Sequence, residues 1–213
     1  DGRYALNMYY VGSGQTGLPL HIVDGEEIIS SFGEVIDEYS PPLNQAAARR
    51  RLATDHAGHV FSTEYFNCAV EAWTDSGERI TGFLGPVLNE KEPVIGPFTL
   101  DNPPPNMINA IQVDGQDRLW VVRSQVKDDW RDRMVETVGR DGSAVLQPSD
   151  PNPRFLYTML IDVVDLNEGL IIASSGHEQL IEGFIGDGLG LEIQYTEQGI
   201  PQAVVWGVSL REH

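Results

Sequence analysis

The chain has 213 residues, 41 % of them hydrophobic, enough for one or two packed domains and too apolar for gross disorder. Its 32 acidic residues stand against 14 basic ones, a formal charge of −18; a surface this negative repels phosphate backbones and anionic lipid, which argues against nucleic acid and membrane surfaces as partners. No apolar stretch approaches the roughly 20 residues of a membrane span, and the single cysteine, Cys68, leaves no internal disulfide to hold the fold.

In chain order, the opening Asp1-Gly2-Arg3-Tyr4 reads as the middle of a hairpin, so the chain is expected to be a piece of a longer one. Tyr4 to Val11 alternates and is rich in Tyr, which predicts a strand. A Gly-rich turn follows at 12–17. Leu18 to Val23 and Ile28 to Phe32 are two further strands hinged at Asp24-Gly25, a strong hairpin signal. Pro41-Pro42 and an Ala-rich stretch interrupt the pattern before a new sheet begins near Arg49.

The second group of strands is expected at Arg51–Thr54, Val60–Tyr65, Ala69–Trp73 and Arg79–Leu84. Cys68 lies in an apolar run and reads as a small buried hydrophobe. The third group is bordered by a Pro-rich segment, 85–106, and interrupted by an insert, 124–154. Trp130 and Met134 of that insert fall on one helical face, which predicts a short helix there. Pro148, Pro151 and Pro153 then impose an extended return to a strand over 155–164. The fourth group comprises Leu180–Ile185, Leu189–Thr196 and Ala203–Leu210.

One weak phrase recurs through these groups: an Asp, a nearby Gly, then an apolar run. It occurs at Asp1-Gly2, Asp55 to Phe61, Asp114-Gly115 and Asp187-Gly188. A second hairpin recurs as well, around Asp24-Gly25, Asp75-Ser76-Gly77 and Asp165 to Gly169. Recurrent turn-plus-strand units build stacked architectures, because one small sheet cannot cover both of its apolar faces alone. The expected fold is all-β: a β-propeller of four-stranded antiparallel blades. The expected domain is a single one over 1–213, with units at about 1–40, 49–85, 107–175 and 178–211.

The segment Val113-Asp114-Gly115-Gln116-Asp117-Arg118-Leu119-Trp120-Val121, with the recurring hairpins, resembles the six-bladed propellers of the NHL-repeat, regucalcin and TolB-like group. The resemblance implies an incomplete six-bladed ring with about four blades present. The resemblance speaks to fold and not to activity; because no catalytic constellation is found among the residues, the expected function is a non-catalytic binding module in a periplasmic, extracellular or membrane-associated setting. Regucalcin-like lactonases hold a divalent ion with Glu, Asn and Asp in the central channel. Glu34, Asn109 and Asp187 are of the right type here, and no local motif selects them. The alternative reading is therefore a metal-dependent hydrolase, or a sugar or small-molecule binder, with its site at the channel.

No cofactor is expected from the residues themselves; a divalent cation such as calcium is the alternative. Asp55, His56, His59 and Glu64 form the densest group of metal-ligand types. His56 and His59 flank a tight turn, and Asp before Gly already has a sufficient role as a turn cap. No nucleophile elbow, phosphate-binding loop, dinucleotide fingerprint or Cys pair occurs. Loops on a rigid scaffold tend to carry binding, so the long inserts rank first as sites. Trp130 is the expected exposed anchor there, with Arg131, Arg133 and Tyr157 beside it, and the expected partner is a protein.

Overall fold

The computed structural model describes residues 3–8, 11–12, 15–16, 18–33, 49–64, 70–80, 99–101, 103–139, 142–186 and 188–210. The chain is all-β and consists of several small antiparallel sheets, with no closed barrel among the described residues. Cys68, Glu34 and Asp187 lie outside the described residues.

The first sheet contains β1 (Arg3–Asn7), β4 (Leu20–Asp24) and β5 (Glu27–Phe32), with a two-stranded ribbon of β2 (Val11–Gly12) and β3 (Gln15–Thr16) between β1 and β4. The second contains β6 (Arg50–Thr54), β7 (Val60–Glu64) and β8 (Val70–Trp73). A bridge between Trp73 and Arg79 starts a fourth strand there. The rest of the strand expected at Arg79–Leu84 lies outside the described residues.

The third sheet is the largest, with β9 (Met107–Val113), β10 (Arg118–Val126), β13 (Tyr157–Asp165) and β14 (Leu170–His177). Between β10 and β13 the insert folds as a 3-10 turn (Trp130–Arg133), a hairpin of β11 (Met134–Val138) and β12 (Ala144–Pro148), and a one-turn helix α1 (Pro153–Leu156). The helix expected through Met134 therefore ends at Arg133, where the chain turns extended. The fourth sheet contains β15 (Gly183–Gly186), β16 (Leu189–Tyr195) and β17 (Pro201–Gly207).

These four sheets pack in series, in chain order. Leu20, Ile22 and Phe32 of the first meet Val60 and Trp73 of the second. The opposite face of the second, through Phe61, Val70 and Ala72, meets Ile108, Ile111, Leu119 and Val121 of the third. The other face of the third, through Trp120, Val122, Ile161 and Val163, meets Ile181, Phe184 and Val208 in the segment of the fourth. Alternation explains this division: neighbours along β10 point to opposite faces, so Val121 serves one junction and Trp120 and Val122 the next. With both faces buried, β10 and β13 read as near-continuous apolar runs. Gly77 shows how close the first junction is. Its φ is +87°, and an added Cβ would lie 2.8 Å from the Phe32 ring.

Strand direction divides the stack into two ends. β6 and β9 start side by side, where the Arg51 guanidinium donates to the Ile108 carbonyl at 3.4 Å. β1 runs opposite to β6: the side-chain oxygen of Asn7, at the end of β1, accepts the Arg50 amide at 2.9 Å. Consequently the tight turns at 24–27, 55–59, 74–78, 114–117 and 165–169 share one end. The long connections, including the insert, leave from the other. These are called the turn end and the loop end below.

Candidate functional site

At the turn end one device recurs. Asp55 accepts the His59 amide on one oxygen at 2.8 Å and the His59 Nδ1 on the other at 2.7 Å. Asp114 accepts the amides of Gln116 and Arg118 at 2.9 and 3.1 Å on one oxygen; its second oxygen takes Arg118 Nε and Trp120 Nε1, each at 2.8 Å. Asp165 accepts the amides of Asn167 and Glu168 at 2.8 and 3.1 Å. Each carboxylate thereby satisfies donors that the reversing backbone leaves open. Partial burial pushes the Asp114 carboxyl up, but Arg118, Trp120 and the two amides together outweigh it and hold it below the usual carboxylate range.

This geometry accounts for Asp55 and His59, which pair with each other inside one turn. His56 is exposed at the tip of that turn. Glu64 stands at the far end of β7, four residues beyond Val60 and roughly 13 Å away at strand rise. Among the described residues no group of three or more His, Cys, Asp or Glu side chains converges. Asn109 is buried on β9 and donates its side-chain amide to Ser124 Oγ at 2.7 Å.

The loop end is built differently. The insert has a core of its own, made by Trp130, Met134 and Leu156, with Val126, Leu146 and Tyr157 packed against it. Trp130 is only 5 % exposed, which corrects the expectation of an exposed anchor. The hairpin that follows folds back on the ring and turns it into the insert's core. The structure does bring Trp130, Arg131, Arg133 and Tyr157 together at the base of the insert. The Arg131 guanidinium lies over the Trp130 ring at 5.0 Å and donates to the Leu100 carbonyl at 2.7 Å. Arg133 lies over the Phe155 ring at 5.0 Å, donates to the Phe155 carbonyl at 2.8 Å, and holds Asp129 with two hydrogen bonds. That Arg133 contact keeps the Asp129 carboxyl below its ordinary range.

Beyond this base the β11–β12 hairpin stands as a two-stranded ribbon. Val135, Val138 and Val145 on it are exposed, Val138 at 79 %. A hollow of about 460 Å³ opens where β10 ends and β13 begins, lined by Gln125, Lys127, Asp128, Asp129 and Thr158 among others.

Two buried carboxylates within the sheets escaped the sequence reading as sites. Asp162 on β13 is fully buried; it takes the Arg123 guanidinium and, at 2.5 Å, the Ser174 hydroxyl. Glu192 on β16 takes the Arg154 guanidinium, Trp206 Nε1 at 2.7 Å and the Gln194 side-chain amide at 3.1 Å. A lone carboxylate at an inward strand position, as in Leu160-Ile161-Asp162-Val163, is the signal that finds them. His177 closes β14 nearby. Neither of its buried ring nitrogens makes a well-formed hydrogen bond. Burial pushes its pKa down, and neighbouring Arg154 adds to the shift.

The two ends differ mainly in their basic side chains, since the loop end also carries Asp128, Asp129, Asp132, Glu136 and Asp150. The turn end carries Asp24, Glu26, Glu27, Asp75, Glu78, Asp117 and Glu168 besides its capping aspartates. The loop end holds most of the described basic side chains: Arg49, Arg50, Arg51, Arg123, Lys127, Arg131, Arg133 and Arg154. No helix among the described residues is long and apolar enough to cross a membrane. No protein-family description matches the chain, and no curated protein matches it.

Proposed function

We propose that the chain is a non-catalytic β-propeller module that recognises a protein partner through its loop end, in an extracytoplasmic or membrane-associated assembly. One observation carries this reading. A series of sheets packed face to face delivers its long connections to one end, and the largest connection is itself folded around Trp130, Met134 and Leu156. The projecting hairpin then presents Val138 and Val145 to solvent, with Arg131 beside its base. Apolar tips rimmed by arginine suit protein recognition. The serial packing and the common direction of β6 and β9 support the propeller geometry. The extracytoplasmic setting rests on the resemblance to the NHL-repeat, regucalcin and TolB-like group.

The test is recovery of the natural partner by the immobilised protein. Val138→Asp and Arg131→Ala should each reduce recovery while leaving the circular dichroism spectrum intact. Unchanged recovery with both would remove the loop end from the reading.

A further inference from the structure

The insert is tied to the fourth sheet by charge. Arg154, on α1 at the end of the insert, places its guanidinium on Glu192 of β16. The same Glu192 oxygen accepts the Leu180 amide at 3.4 Å, and its other oxygen takes Trp206 Nε1 and the Gln194 side-chain amide. Glu192 is 1 % exposed, so its charge depends on these donors.

His177 stands beside this pair. It closes β14 three residues before Leu180, opposite Met159 in register. Ile161 and Val163, on the same side of β13 as Met159, pack toward the fourth sheet, so the imidazole points into that seam. Both ring nitrogens are buried and neither makes a well-formed hydrogen bond. A neutral ring tolerates that position; an imidazolium, with two N–H donors and a charge, is disfavoured there. Burial keeps the ring neutral and Arg154 reinforces it, against the opposing pull of the backbone at Leu160 and Gln179.

Other charges lie further off. Lys127 donates to the Arg154 carbonyl at 2.7 Å and adds a cation on the insert side. Asp128 and Asp129 border Thr158 and Leu160, on the opposite face of β13. Arg123 and Asp162 pair with each other on that same opposite face. Glu178 and Glu182, in the segment after β14, are exposed. β10 sets the neutral Ser124 against Met159.

We propose that His177 and the Arg154–Glu192 pair form an acid-sensitive latch between the insert and the fourth sheet, in which protonation of the ring and release of Arg154 from Glu192 each favour the other. An imidazolium sets a second cation against Arg154 and competes for the Glu192 carboxylate. Arg154 is the group able to leave, because its side chain is 41 % exposed and water can take up its guanidinium, whereas Glu192 is fixed within β16. Once it leaves, α1 loses this tie to β16 while the insert's own core of Trp130, Met134 and Leu156 stays intact. Acid therefore loosens the loop end at one seam and leaves the stack standing. The coupling is reciprocal, so removing Arg154 must make the ring easier to protonate. The proposal rests on this seam and not on partner recognition by the loop end.

NMR on the intact chain tests both directions. The Arg154 guanidinium protons, assigned from their absence in Arg154→Met, should exchange with water about tenfold faster or more at about pH 5 than at about pH 7.5, after correction for the intrinsic effect of pH. His177→Gln should abolish that acceleration. Should H177Q fail to fold, His177→Leu takes its place. The His177 ring signal reads the reverse coupling: in R154M its pKa should rise by about half a unit or more. Arg154 protons that stay slow in acid, an equal acceleration in H177Q, or an unchanged ring titration in R154M overturns the proposal.

Discussion

The turn end and the loop end follow opposite rules. At the turn end Asp55, Asp114 and Asp165 repeat one local solution, a carboxylate gathering the amides of its own turn. At the loop end no solution repeats: a 3-10 turn, a hairpin, a single helical turn and the buried Arg154–Glu192 ion pair each occur once in their own setting. Recurrence marks what every sheet needs in order to reverse the chain. Singularity marks what the scaffold is free to vary, and a recognition surface draws on that freedom.

Removing Trp130 breaks this comparison most directly. Trp130→Ala empties the centre of the insert's core and should cost about 3–5 kcal/mol of local stability. Amide exchange should rise across 127–156 while β9 and β10 keep their protection. Loss of protection throughout the stack would show that the loop end is no separate unit. Next comes Asp114→Ala, which leaves the Arg118 and Trp120 side chains without their shared acceptor and should lower stability by about 1–3 kcal/mol, read from a urea midpoint. The carboxyl of Asp114 is held below its ordinary 3.8, so its contribution is present above that pH and disappears as pH falls through the lower folded value. Asp114→Asn should flatten that acid limb.

His177 sharpens the contrast with the opposite titrating group. Its pKa is lowered from 6.5, so the fold favours the neutral ring. Stability is complete above pH 6.5 and declines as pH falls below it, because the unfolded chain takes up the proton first. Melting temperatures of His177→Leu should depend less on pH across that window than those of the wild type. The smallest effect belongs to Val138→Asp at the hairpin tip, which should change stability by no more than about 0.5 kcal/mol and still reduce partner recovery.

The turn end was the more legible half. Asp24-Gly25, Asp55 to Gly58 and Asp114-Gly115 announce their turns because every donor and acceptor lies within four residues. Short apolar runs bounded by turn residues likewise marked β10 and β13 as strands. Their pairing across the insert, Trp120 with Val163 and Val126 with Tyr157, was carried by no local signal. Trp130 misled for the same reason. Its burial depends on Met134 and Leu156, and on a hairpin whose return is set by non-local packing. Asp162 was visible as an interruption in an apolar strand, yet its partner Arg123 lies on another strand, so its role required the register.

Backbone-to-backbone hydrogen bonds among the described residues run within individual sheets and their own turns, while side chains fill the seams between sheets. Mechanically, that makes the molecule anisotropic. A load applied along the strands is resisted by ladders of amides in shear. A load pulling the sheets apart meets only greasy contacts and a few side-chain ties such as Arg3 to Asp75. Stretched from its ends, the polypeptide should yield in steps, surrendering one sheet per rupture, with the four-stranded ladder of β9, β10, β13 and β14 the last to give way.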